Sequence, residues 1–98
     1  MKLTELNPRW LGEHMFAFQC PHCLKAWLTC KSAPMEGGAQ RTLIEQAFGN
    51  DDYLVAGSRE ETAWQISGRD FETMTVHPSI DASPSGCWHG LIKNGEIV

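Results

Sequence analysis

Positive charge is scarce in this 98-residue chain: eight Lys and Arg face twelve Asp and Glu, for a formal net charge of −4. The basic residues are also scattered, at Lys2, Arg9, Lys25, Lys31, Arg41, Arg59, Arg69 and Lys93. Neutralising phosphates needs a basic footprint, so direct nucleic-acid binding is not expected. Long apolar runs are missing too. Met15-Phe16-Ala17-Phe18 is as long as any, far short of the roughly 20 residues that cross a bilayer. The opening Met1-Lys2-Leu3-Thr4-Glu5-Leu6-Asn7-Pro8 has no apolar segment of the secretory kind. A cytoplasmic protein with no membrane contact is expected, and there paired cysteines read as a metal or redox site before a disulfide. No repeat, low-complexity tract, H-E-x-x-H, G-x-S-x-G, phosphate-binding glycine loop or dinucleotide fingerprint occurs.

What is present suffices for one domain over residues 1–98. The 42% apolar content and four tryptophans can fill a core in a chain that buries about two-thirds of its unfolded surface. Residues 1–13 read as an irregular arm. His14 to Gln19, with Phe16 and Phe18 in period two, reads as a strand, and Leu24 to Cys30 as its return. Lys31 to Ala39 is loop-like. Leu43, Ile44, Ala47 and Phe48 at helical spacing predict a short helix over 40–48, stopped by Gly49-Asn50. Tyr53 to Ala56 suggests a short strand before an exposed loop, Gly57 to Glu61. Thr62 to Ile66 and Phe71 to Val76 alternate as strands, Pro78 to Pro84 brackets a loop, and Trp88 to Ile92 pairs with Glu96 to Val98 around Asn94-Gly95, a strong type I′ turn signal. The expected fold class is α+β, mostly antiparallel β: a small zinc-stabilised β domain with one short helix.

The chemistry sits in Cys20-Pro21-His22-Cys23 and Cys87-Trp88-His89. Three thiolates and an imidazole make a tetrahedral zinc shell. In a C-x-x-C turn, amides near Cys23 and Leu24 can donate to Cys20. Cys87 and His89, two apart on a strand, would share a face while Trp88 turns away. The expected ligands are therefore Cys20, Cys23, Cys87 and His89, with structural Zn2+ favoured over a catalytic ion. His22 points to solvent in such a knuckle. Cys30 could replace Cys87, but at a strand end it reads more simply as core. A thioredoxin-like use of the Cys-Pro-His-Cys turn needs a following helix to depress the first thiol's pKa, and Leu24 to Thr29 lacks that pattern. His77, Asp70, Glu72 and Asp81 are the one carboxylate and imidazole group dense enough for hydrolysis, and they read more simply as turn and solvent-face residues.

Several motifs follow in order: Phe18-x-Cys20-Pro21-x-Cys23, Trp64-x-x-x-Gly68-x-Asp70, Thr75-x-x-Pro78-Ser79-Ile80 and Cys87-x-His89-Gly90-x-Ile92-x-x-Gly95-x-Ile97. With Leu3-Thr4-Glu5-Leu6-Asn7-Pro8-Arg9-Trp10, the pattern resembles a family of small phage and prophage zinc-binding proteins. Their common label, ammonia monooxygenase, finds no support in these residues. The resemblance covers most of the chain except residues 31–60, which look like an insertion, and Leu24 departs from a glycine often found after the knuckle. It implies zinc on Cys20, Cys23, Cys87 and His89 and no established activity. The expected function is then a non-enzymatic protein in a bacterial host cytoplasm, binding a host or phage protein; an inhibitor of a defence system such as a CRISPR effector is one version. A basic partner would suit Glu45, Asp51, Asp52, Glu60 and Glu61 on the 31–60 surface. The alternative is a small metal-dependent hydrolase or thiol redox enzyme using the same cysteines.

Overall fold

Alternation in Met15-Phe16-Ala17-Phe18 puts aromatics on one side of a strand and Met15 and Ala17 on the other, and both sides find cover. In the structure, a computed structural model that describes residues 1–49 and 55–98, this segment is the central strand β2 (Met15–Gln19). It pairs antiparallel with β1 (Arg9–Leu11) and with β3 (Trp27–Lys31), setting Phe16 opposite Cys30 and Phe18 opposite Leu28. A two-residue β4 (Val55–Ala56) adds parallel to β3, completing the order β1-β2-β3-β4. The second sheet is antiparallel, β5-β6-β7-β8, from β5 (Gln65–Ser67), β6 (Thr75–Asp81), β7 (His89–Lys93) and β8 (Glu96–Ile97).

The two faces of β2 define three layers. Phe16, Phe18, Leu28 and Cys30 pack against Met74, Val76, Ile80 and Ile92 of the second sheet and its preceding turn, joined by Leu3 and Leu6. Met15 and Ala17 face the other way, with Leu11, Val55 and Ile44 of the helix α1 (Gly37–Phe48). Burying each of these large side chains is worth about 1.5–3 kcal/mol, which is why β2 is buried on both sides.

The α+β, mostly antiparallel class holds, with particular departures. The arm is not irregular throughout: Leu3–Leu6 forms a 3-10 turn whose two leucines are core, and Arg9–Leu11 is a strand. The return strand begins at Trp27, not Leu24, because Leu24 takes a left-handed φ of 59°. Helix α1 starts at Gly37, three residues before the expected Gln40, since the Glu60 carboxylate accepts the Gly37 N–H at 2.6 Å and serves as its cap. Asp70 Oδ1 accepts the Glu72 N–H at 2.9 Å, so residues 71–73 form a turn instead of a strand. The strand is displaced forward, and Pro78 to Asp81, expected as loop, is its second half. Asn94 and Gly95 both take left-handed φ angles, 49° and 74°, as the type I′ reading requires. Of the expected strand Tyr53 to Ala56, only Val55–Ala56 lies within the described residues. No helix among the described residues is long and apolar enough to cross a membrane.

Candidate active site and metal centre

Cys20 directly follows β2, and a tight turn carries Cys23 back beside it: the Leu24 N–H donates to the Cys20 carbonyl and the Cys20 N–H to that of Ala26, both at 2.8 Å. Cys87 arrives from the far end of the chain, on the loop before β7, where its N–H bonds the Ala82 carbonyl at 3.1 Å. The sulfurs of Cys20, Cys23 and Cys87 all lie within 4.8 Å of one another, close enough to hold a metal ion. The amides of Ala26 and Lys25 donate to Cys23 Sγ, each at 3.4 Å. These two bonds hold its thiol below the ordinary range and favour a thiolate. Cys23, rather than the expected Cys20, is thus the sulfur that the turn's amides stabilise. Cys30 stays apart: it is wholly buried in the inter-sheet core, and burial pushes its thiol pKa up.

His89, the expected fourth ligand, does not stand with the three sulfurs among the described residues. It opens β7 directly across from Asp81 on β6, while the next pair is Ile80 with Gly90. Cys87 lies outside the strand, so the i, i+2 rule does not govern how it stands relative to His89. Ile80 turns into the core, whereas Ser79, Asp81 and His89 are exposed. Asp81 therefore shares the outer face with His89, and Ser79, within a stretch of irregular register between Val76 and Ile80, is exposed two residues before Asp81. Directly opposed residues have Cβ atoms about 5 Å apart, within reach of an imidazole. Asp81 is anchored by Ser83, whose hydroxyl and N–H donate to Oδ1 at 2.6 and 3.0 Å. Those bonds, and the His89 charge after them, hold its carboxyl below the usual range.

A groove of about 620 Å³ runs along this edge. Its walls are Ala56 to Arg59 and Thr62 to Trp64 on one side, and Pro78 to Ala82 with Pro84 on the other. Strand β5 pairs with β6 only as far as Gln65 opposite His77. Beyond that point Ser79 to Asp81 has no flanking strand on that side among the described residues. Trp64 spans the gap by donating Nε1–H to the Ser79 carbonyl at 3.3 Å. In the same wall Ser58 meets Lys31, a fully buried lysine whose Nζ donates to Ser58 Oγ and, at 2.7 Å, to the Arg59 carbonyl.

The other expected site residues separate. Glu45 and Glu61 are exposed, Glu60 is engaged at the helix start, and Asp51 and Asp52 lie outside the described residues. His77 faces Gln65 across the sheet and Asp70 closes its own turn, so Asp70, Glu72, His77 and Asp81 do not act as one group. Sequence reasoning missed Ser79, Asp81 and His89 as a set because Pro78 to Pro84 read as loop. It missed Lys31 because a single lysine at a strand end carries no signal. A family model described as bacterial ubiquitination-like system serine protease (BubE) matches residues 49–98. No curated protein and no solved structure matches the chain.

Proposed function

The chain belongs to the family of the bacterial ubiquitination-like system serine protease (BubE), and on that premise we propose that it is a serine hydrolase with Ser79 as nucleophile, His89 as general base and Asp81 as its orienting carboxylate. The observation that carries this is the β6–β7 register, which sets Asp81 against His89, with the exposed Ser79 two residues before Asp81 in the groove wall. All three belong to the matched segment, as a family activity requires. His77, the other histidine of that segment, faces Gln65 instead.

Ser79 Oγ attacks the carbonyl carbon of a bound amide or ester while His89 takes its proton. His89 returns that proton to the leaving amine or alcohol, and water then releases the acyl group by the same path. Asp81, held ionised by Ser83, keeps the imidazole oriented and balances its charge. The open side of β6 lies in the groove, where an extended peptide can run past Ser79 as an added strand. A carboxyl-terminal tail of the system's modifier is such a peptide, and its conjugates supply the bond to be cut.

The thiolate cluster suits zinc, since Cys20, Cys23 and Cys87 would supply three of the four ligands of a structural site. Its role would be mechanical, tying the Cys20–Cys23 turn to the loop that launches β7 and so setting His89 in register. The expected reading as a non-enzymatic partner-binding protein rests on Glu45, Asp51, Asp52, Glu60 and Glu61, of which Glu45 and Glu61 are exposed, Glu60 caps the helix, and Asp51 and Asp52 lie outside the described residues. No feature around the described residues of that set favours it over hydrolysis.

The test is labelling with a fluorophosphonate probe, mapped by mass spectrometry, together with hydrolysis of a p-nitrophenyl acyl ester. An adduct on Ser79 is expected, with hydrolysis reduced on the order of 10²-fold or more in Ser79→Ala and His89→Gln. Undiminished hydrolysis in both folded variants refutes the assignment.

A further inference from the structure

Lys31 is the most unusual polar group in the fold. It ends β3 with no exposed surface, on the strand face that carries Thr29, and its ammonium end reaches across to the segment after β4. There Nζ bonds Ser58 Oγ and the Arg59 carbonyl, and it lies 5.9 Å from the centroid of the Trp64 ring. No carboxylate among the described residues is within ion-pair distance of it. A buried, unpaired ammonium is costly, and the amine relieves that cost by giving up its proton. Burial pushes the Lys31 pKa down, against the opposing pull of the Glu61 carboxylate, while the neighbouring Cys30 points to the other face of β3 and stays neutral.

Ser58 is equally constrained. Its N–H donates to Gln40 Oε1 and its carbonyl accepts from Gln40 Nε2, both at 3.0 Å, and Gln40 is itself buried. Gly57 makes this clamp possible, since a Cβ there would sit 2.8 Å from Gln40 Oε1. The hydroxyl therefore has a fixed backbone, a base on its buried side and the groove on its open side. A nucleophile within hydrogen-bond reach of a desolvated amine is the arrangement of a serine–lysine dyad.

We propose that Ser58 is a second acylatable serine of this groove, with Lys31 as its general base, reacting with acyl esters and peptide carbonyls seated beside it. Ser58 Oγ bonds the carbonyl carbon as its proton passes to Lys31 Nζ. The bond to the leaving amine or alcohol breaks as Lys31 returns that proton, and water attacks the ester in the same way to release the acid and restore Ser58. The inference stands apart from the Ser79 assignment, because it uses a different nucleophile and a base outside the matched segment.

The experiment is fluorophosphonate labelling of the full chain from pH 6 to pH 10 with the adduct sites mapped, in the natural sequence, Ser79→Ala, Ser58→Ala and Lys31→Arg. Labelling at Ser58 is expected to persist in Ser79→Ala, to rise with pH as Lys31 loses its proton, and to fall on the order of 10²-fold in Lys31→Arg, which keeps donors but not the base. Absence of a Ser58 adduct, or labelling unaffected by Lys31→Arg, overturns the proposal and leaves the Ser79 reading intact. An adduct on Ser58 with none on Ser79 does the reverse. Should Lys31→Arg fail to fold, the pH profile in Ser79→Ala decides, and a flat profile counts against the dyad.

Discussion

Replacing Gly95 with alanine should be among the most damaging single changes in this chain, for two separable reasons. Gly95 has φ 74°, a region that costs an L-residue about 1–2 kcal/mol. The added Cβ would also lie 2.1 Å from the Glu72 carbonyl oxygen and 2.5 Å from its carbon. Restoring ordinary contact means moving backbone by roughly 1.3 Å, the kind of overpacking that costs about 1–3 kcal/mol. That movement disturbs two 2.8 Å hydrogen bonds at Gly95, its N–H to the Met74 carbonyl and the Leu3 N–H to its own, each worth about 1 kcal/mol net. Allowing for overlap among these contributions, Gly95→Ala should cost about 3–5 kcal/mol against a total stability of about 5–15 kcal/mol, lowering Tm on the order of 20 °C. Gly68→Ala is the control, since φ is 89° there and no atom lies within 4 Å of the added Cβ, so only the conformational cost of about 1–2 kcal/mol applies. Urea denaturation of both variants separates the effects. If Gly95→Ala is no worse than Gly68→Ala, the β7–β8 turn does not press on the 70–74 turn, and the seating of Leu3 loses its explanation.

Removal of metal by a strong chelator, or Cys87→Ser, should lower the melting temperature and release bound zinc, because metal binding to a preformed thiolate site is part of the folding free energy; metal analysis alongside circular dichroism checks this, and an unchanged melt counts against it. Asp81→Asn keeps an acceptor for the two Ser83 bonds but loses the charge facing His89, so ester hydrolysis should fall on the order of 10-fold, less than in Ser79→Ala, with little change in Tm. Ser83→Ala should show a small loss of activity only, and equal effects of the two would argue for a purely structural Asp81. Cys30 stays protonated in the fold while its unfolded counterpart ionises near 9.0. The unfolded state then binds fewer protons, so stability present below pH 9 should fall above it by about 1.4 kcal/mol per pH unit. Chemical melts at pH 8 and pH 10 should show this loss, and Cys30→Ala should flatten it.

Local pattern made much of this fold legible. Period-two aromatics announced β2, the Cys-x-x-Cys turn announced the hairpin tip, helical spacing and Gly49 announced the end of α1, and Asn94-Gly95 announced the last hairpin. Elements whose limits depend on distant partners were not legible. The start of α1 is capped by Glu60, 23 residues away, and the 3-10 turn at Leu3–Leu6 persists because a core formed elsewhere covers it. The cysteine trio was visible as residue type, whereas the opposition of Asp81 and His89 across β6 and β7 was not.

The sequence alone determined the alternation of buried and exposed side chains, the thiol-rich turn and the acidic balance, because these follow from residue chemistry and spacings of a few positions. Only the tertiary structure decided that Asp81 meets His89 across β6 and β7 and that Lys31 meets Ser58. Both juxtapositions depend on strand register and layer packing, in which the burial of Ile80 and of β2 on both faces chooses among alignments that local sequence leaves equivalent.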